Sequence, residues 1–379
     1  MSGLNSSLLQ NVSFVRPEYF FISGFSGIPF SQYYFVFLMF VYIISLCGNS
    51  IVLYMIIIDK SLHIPKYMGI FNLALSEFGE ANALIPFLVK LFLFNSQYIS
   101  YEACLANMFL TYFFAGTQYL TLVVMAYDRF IAICSPLRYH AIVNNSFMIA
   151  ILTTIWIFNL IFFGIMVGLI TPLSFCKSIE INSFFCDHGP VYTLACNDNS
   201  INVFMGNVSI AVYLYLPLTA IILSYVGILL ALTKITTWEG RLKAFKTCVT
   251  HLLVVGIFFI PVSVTYSFSL HPTARIINIS LSITIPPMLN PIIYVLSTKE
   301  FRNFFVKIFK KKTSPISQEE ISSAISSLQS GKSPGPDGFP VEFFKSFSSY
   351  LAPQLALVLS ESFKQGKMPA LFNESWLED

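Results

Sequence analysis

Residues 33–58 read YYFVFLMFVYIISLCGNSIVLYMIII, a run with no charged side chain. As an α-helix rising 1.5 Å per residue it would be about 39 Å long. A bilayer's hydrocarbon core is about 30 Å thick, and roughly 20 apolar residues cross it. A membrane strand would end after about 10 residues. The run therefore reads as a membrane-spanning helix.

Working outward, six further uncharged or nearly uncharged runs of that length lie at 67–94, 103–127, 147–171, 201–233, 247–270 and 276–297. Composition agrees: 55% of residues are hydrophobic and 11% charged, where soluble domains carry about 25% charged. Phe, at 39 residues, outnumbers Lys and Arg together at 22, and the mean hydropathy is +0.71. Too few charges exist to clothe a water-facing surface, which excludes disordered, collagenous, coiled-coil and ordinary cytosolic chains. The expected fold class is an all-α membrane protein, a seven-transmembrane helix bundle. Pro86, Pro172, Pro217, Pro261, Pro286, Pro287 and Pro291 fall within or at the ends of spans, where neighbouring helices can satisfy the freed backbone groups.

Loop charge sets the orientation. Lys60, Lys66, Arg129, Arg138, Lys234, Arg241, Lys243 and Lys246 follow spans one, three and five, and Lys299, Arg302, Lys307 and Lys310 to Lys312 follow span seven. The other side has Arg16, Lys90, Lys177 and Arg275. The N-terminus is thus expected outside, with span one as its own signal-anchor. Asn5 and Asn11 head sequons in that outer segment, as glycosylation requires. Cys104, Cys176, Cys186 and Cys196 fall at the outer face, where oxidising conditions favour disulfides; four cysteines allow three connectivities. Bridging Cys104 to Cys186 would pin the loop after span four onto span three. His188, close to Cys186, lacks the companion ligands that a metal site needs.

Ionisable groups inside a bilayer are costly and mark function by default. Glu77 and Glu80 sit mid-span in helix two, three residues apart and so on one face. Asn49, Gln118 and Asn290 lie at similar depth. Two readings stand: a site for a hydrated cation, here sodium near Glu77, Asn49, Gln118 and Asn290, or a proton; and a structural polar network joining the helices.

Residues 125–139, MAYDRFIAICSPLRY, closely resemble the signature of vertebrate odorant receptors, which are rhodopsin-like G-protein-coupled receptors. Further marks occur in order: Gly48-Asn49; LHIPKY at 62–67; Ser224-Tyr225; KAFKTC at 243–248 with His251-Leu252; and PMLNPIIY at 287–294. The departures resemble fish-type members: Phe130 where Tyr is usual, Glu77 for Asp, Lys66 for Met, and no Trp near Phe258-Phe259, so that Phe259 is the candidate rotamer switch.

The resemblance implies disulfides Cys104–Cys186 and Cys176–Cys196. It also implies a switch at Asp128, Arg129, Tyr225, Asn290, Pro291 and Tyr294 that couples to a stimulatory heterotrimeric G protein. Helical phase inward from Arg129 and Pro261 nominates Thr111, Tyr112 and Ala115 on span three, and Ser209 and Ile210 on span five, as ligand contacts. Phe259, Val262, Ser263 and Tyr266 on span six follow, with Ser280 and Ile283 on span seven. Such a wall suits a small, weakly polar organic odorant. Span three's outer half carries no Asp or Glu, which argues against a biogenic amine. No enzymatic role, cofactor or nucleic-acid partner is expected; the partners are the odorant, the G protein and the lipid bilayer.

Four segments follow: 1–30, extracellular; 31–297, the receptor bundle; 298–312, an amphipathic cytoplasmic helix with Phe301, Phe304, Phe305, Ile308 and Phe309 on one face; and 313–379. The last differs in kind. Residues 1–312 hold 18 basic and 11 acidic side chains, residues 313–379 four and eight. Residues 331–339, GKSPGPDGF, lack the earlier glycine of a phosphate loop. With Glu342-Phe343-Phe344-Lys345 they resemble the start of the reverse-transcriptase region of LINE-type retrotransposons, well short of any catalytic aspartate pair. A retroelement read into the last exon, or a faulty gene model, accounts for such a tail. The alternatives to an odorant receptor are a same-family chemoreceptor outside the olfactory epithelium, a transporter or channel using Glu77 and Glu80, and a non-functional receptor–retroelement fusion.

Overall fold

The computed structural model describes residues 15–25, 30–93, 97–233, 238–298, 300–302, 317–328, 330 and 339–365. Seven long helices make the first of two compact units, Met1–Thr298. They are α1 (Ser31–Ile58), α2 (Pro65–Leu93), α3 (Tyr101–Cys134), α4 (Asn145–Gly168), α5 (Ser200–Leu232), α6 (Trp238–Ser267) and α7 (Pro272–Ser297). All but α2 also meet the apolar criterion for a membrane span; α2 has the length, but Lys66, Glu77, Glu80 and Lys90 dilute it. Local chemistry sets the starts. The Ser100 hydroxyl accepts from the Ala103 amide and the Asn144 side chain from Phe147, while Pro65 and Pro272 occupy the first turn, where a missing N–H costs nothing. Helix α6 begins at Trp238, ahead of the span expected from residue 247, because a helix can run on past the hydrocarbon edge.

Burial is inverted relative to a soluble protein. Ser45, Asn49, Asn72, Ser76, Glu77, Gln118, Asn159 and Asn290 are buried, whereas Phe40, Ile57, Leu160, Leu223 and Leu230 are exposed. In lipid an apolar exterior is solvated and polar groups must pair internally, so this is the expected partition. Helix α3 packs against α2, α4, α5 and α6, and α1 packs against α2 and α7. Within α5, Ala211–Tyr215 form a π-helical turn just ahead of Pro217.

One end of the bundle is roofed. Strand β1 (Tyr19–Ile22) pairs antiparallel with β2 (Tyr98–Ser100) and parallel with β3 (Glu180–Ile181), with Phe20 opposite Ile99 and Phe21 opposite Glu180. Phe20 is fully buried against Tyr101 and Phe175. Cys104 bridges Cys186 (Cα–Cα 5.4 Å) and Cys176 bridges Cys196 (5.8 Å), which staples the loop between α4 and α5 to the top of α3.

The second unit, Lys299–Asp379, contains α8 (Gln318–Ser327), α9 (Val341–Ser346) and α10 (Ser348–Gln365). A reciprocal Ser317–Glu320 capping box starts α8, and Ile321, Ile325 and Ala352 form a small core with Phe344, Leu355 and Leu359. Asn5 and Asn11, residues 331–338 and the expected amphipathic helix past Arg302 lie outside the described residues.

Candidate functional site

Beneath the roof, α3, α4, α5, α6 and α7 enclose a cavity of about 110 Å³. Eight nominated residues line it: Thr111, Tyr112, Ala115, Ser209, Ile210, Val262, Tyr266 and Ile283. Three do not. The Ser280 hydroxyl lies 2.5 Å from that of Tyr34 on α1; the face of α7 turned inward carries Ile279, Ser282 and Ile283, a stripe at the three/four spacing that skips Ser280. On α6 the wall is Val262, Thr265 and Tyr266, which turns Ser263 aside. Phe259 lies deeper, buried edge-on against Tyr119 at 5.3 Å.

Sequence phase missed other wall residues. Tyr213 and Leu214 line the cavity from the π-helical turn, whose extra residue breaks the regular helical phase there. Phe185 and Asp187 enter from the loop, and a loop has no helical phase to read. The signal available for Asp187 was its place beside Cys186. Gly116 opens the floor, because a Cβ there would stand 2.6 Å from the Phe163 ring and 2.9 Å from Tyr213.

The polar part of the wall is largely committed. The Tyr213 hydroxyl donates to Asn159 Oδ1 (2.6 Å), and Asn159 Nδ2 donates to Thr117 (2.9 Å), tying α5, α4 and α3 together. The Tyr112 hydroxyl donates to Asp187 Oδ1 at 2.5 Å. Burial raises the Asp187 carboxyl above its usual range, against the hydrogen bond from Tyr112, the charge of Arg275 and the amides of Gly189 and His188. Next to it, burial pushes His188 down to about 4. Thr111 Oγ1 differs: it is buried and has no protein partner, and its residue lines the cavity. Asp187 also lines a second, outer cavity of about 400 Å³ together with Glu180 and Arg275.

At mid-depth, Asn290 donates to Glu77 Oε1 and Asn49 donates to the Pro287 carbonyl at 3.0 Å. Gln118 donates to Glu80 Oε2 at 2.7 Å and so leaves the expected group around Glu77. Asn49 Oδ1, Glu77 Oε2 and Asn290 Oδ1 are buried and unpartnered. Amide and carboxylate oxygens are the ligand type that hard cations take.

At the opposite end from the roof, Asp128 Oδ2 lies 3.6 Å from Arg129 Nη1 and Asp128 Oδ1 accepts from Tyr139 at 2.7 Å. The Tyr225 hydroxyl sits 2.8 Å from His251 Nδ1. Phe130 packs where a Cβ on Gly227 would collide with it, so α3 and α5 approach closely there. Arg129, His251 and Tyr294 line a cleft of about 440 Å³, with Lys66 at its edge. Pro291 packs on Gly48, which holds α7 to α1 one turn from Tyr294.

A family model described as "Olfactory receptor" matches residues 38–312. Human Olfactory receptor 2A12 is 36% identical over 283 residues, 74% of this chain and 91% of that protein. Rat Olfactory receptor 51E2 is 34% identical over 297 residues, 77% of this chain and 93% of that protein. The crystal structure of squid rhodopsin superposes with a TM-score of 0.61 at 18% identity, covering 80% of this chain and 94% of that one, a likeness of fold.

Proposed function

The chain belongs to the olfactory receptor family, and from that premise we propose that it binds a small organic odorant in the roofed cavity and activates a stimulatory heterotrimeric G protein at the opposite end. It is a multi-pass plasma-membrane receptor and not an enzyme. In our reading the roofed end is extracellular, in keeping with the loop charges and with two disulfides at that end. The observation that carries the ligand site is the Thr111 hydroxyl, buried and unpartnered in a mostly aromatic and aliphatic wall. An odorant with one hydrogen-bonding group would satisfy it and bury its apolar remainder against Phe163, Tyr213 and Tyr266.

Coupling follows from two states of the bundle. A ligand shifts them only by binding one better than the other. The wall residue Tyr213 is bonded through Asn159 to α3, the helix that carries Asp128 and Arg129, so a shift at the wall bears on the same rigid element. In the resting state Asp128, which accepts a hydrogen bond from Tyr139, restrains Arg129; release frees Arg129 toward Tyr225 and Tyr294. Asn49, Glu77 and Asn290 would hold sodium, whose charge would steady the resting arrangement of α1, α2 and α7.

Residues 313–379 we read as a retroelement-derived extension, supported by the reversal of charge and by the motif at 331–339. The test is to express the full chain and a version ending at Lys312, then screen odorants by cAMP. Arg129→Ala should abolish the response with surface expression kept. A mutant that still signals would remove Arg129 from the coupling role.

A further inference from the structure

We propose that the outer cavity at the roofed end is a second binding site, for a zwitterion of the α-amino-acid type with an apolar side chain, whose carboxylate meets Arg275 and whose ammonium meets Glu180. The cavity measures about 400 Å³, within the range of roughly 300–1,000 Å³ that small-molecule sites occupy. Of its lining residues only Asp187 and Ile279 also line the inner cavity, so the two are neighbours with separate walls. Three charged residues line the outer one: Glu180 from β3, Asp187 from the loop beyond it, and Arg275 from the first turn of α7.

The Asp187 carboxylate is already occupied. It accepts from the Tyr112 hydroxyl at 2.5 Å and from the amides of His188 and Gly189. Arg275 and Glu180 differ: among the described residues neither the guanidinium nor the Glu180 carboxylate makes a hydrogen bond or an ion pair, with the other or with a third group. Two opposite charges thus line one cavity at more than pairing distance. A charge partly withdrawn from water gains from a partner that replaces the lost hydration. Arg275 is half-buried, and its planar fork matches a carboxylate. A simple anion would be repelled by Glu180, and a simple amine by Arg275. A molecule that carries both charges serves the two residues at once and adds no net charge. Lys177, the cation beside the cavity, is engaged elsewhere, donating to the Thr193 carbonyl at 3.4 Å. Leu194, Leu270, Pro272 and Ile276 supply an apolar wall for an aliphatic side chain.

The test uses the full chain in phosphatidylcholine nanodiscs and radiolabelled L-leucine, displaced by isoamylamine, which lacks the carboxylate, or by isocaproate, which lacks the ammonium. Each analogue should bind about fivefold more weakly than leucine, the size of one partly exposed ion pair. Added salt should narrow that gap. Glu180→Gln should cost leucine about fivefold and leave isocaproate unchanged. Arg275→Gln should cost leucine the same and leave isoamylamine unchanged, and the unchanged analogue shows in each case that the variant is folded. Absence of saturable leucine binding would overturn the proposal. So would an analogue that binds as tightly as leucine, since one charge would then suffice. Leucine binding unaltered by both variants would place the ligand elsewhere, and equal losses for leucine and both analogues would leave the substituted residue a support for the loop; either result rejects the site.

Discussion

Gly116 and Thr111 set the size and the polarity of the candidate ligand cavity. A methyl group at 116 would meet the Phe163 and Tyr213 rings inside van der Waals contact, and overpacking of this kind costs about 1–3 kcal/mol. If the cavity holds the odorant, Gly116→Ala raises the half-maximal concentration in a cAMP dose–response about tenfold at unchanged surface expression; an unshifted curve would move the ligand elsewhere. Thr111→Val keeps the shape and deletes the unpartnered hydroxyl. Odorants with an oxygen should lose potency about threefold to tenfold, the net worth of one hydrogen bond, and an all-hydrocarbon odorant should lose none. Both residues were within reach of the sequence unequally. Thr111 follows from counting turns back from Arg129, because α3 is unbroken over that stretch. Gly116 does not, since the space it leaves is defined by Phe163 on α4 and Tyr213 on α5. Ser280 and Ser263 show the limit of the same counting: one residue is about 100° of rotation, enough to turn a hydroxyl from the cavity to a neighbouring helix.

At the scale of elements, two features lay beyond any periodic reading. The π-helical turn at Ala211–Tyr215 changes the frame of α5 midway, which is why Ser209 and Ile210 were found while Tyr213 was not. The disulfide-stapled loop was legible as cysteines at one face, but not as the element that carries Phe185 and Asp187 onto the cavity. That loop predicts a pH dependence. His188 is held near 4 when folded and returns to about 6.5 when unfolded. Falling pH therefore protonates the unfolded chain first. Stability that the neutral ring confers at pH 7 is lost progressively between about 6.5 and 4, up to on the order of 3 kcal/mol. Asp187, raised by burial, works the other way by accepting a proton in the folded state, so the comparison must isolate the histidine. His188→Gln should flatten the fall in Tm between pH 7 and pH 4 relative to wild type. Parallel Tm curves for the two proteins would mean that His188 meets the proton as freely folded as unfolded.

For the whole molecule, one hydrophobic fraction describes two unlike parts. The bundle buries its amides and carboxylates and exposes leucine and phenylalanine, an arrangement only lipid tolerates. The unit after Thr298 does the reverse, with a core centred on Ile321, Ile325 and Ala352 and with Glu319, Glu320, Lys345 and Glu361 exposed or half-exposed. Chain composition announced the first part plainly, since a seven-span pattern repeats at bilayer length. The second was legible only as a change of charge balance. A core that small sits at the margin of independent stability, where domains below about 40 residues generally need a staple, and no cysteine lies beyond Cys248 to supply one. The tail should therefore open locally far more often than the bundle. Limited trypsin treatment of the receptor in nanodiscs should remove tail fragments first and leave the bundle intact. Since the ligand cavity and the Arg129 cleft are both lined by residues up to Thr298, a chain ending at Lys312 should reach the surface and respond to the same odorants with a half-maximal concentration within about twofold of the full chain, a difference below 1 kcal/mol. Loss of the response at preserved surface expression would instead make the tail part of the signalling machinery, and selection on it would then have to be sought in contacts with the G protein rather than with the odorant.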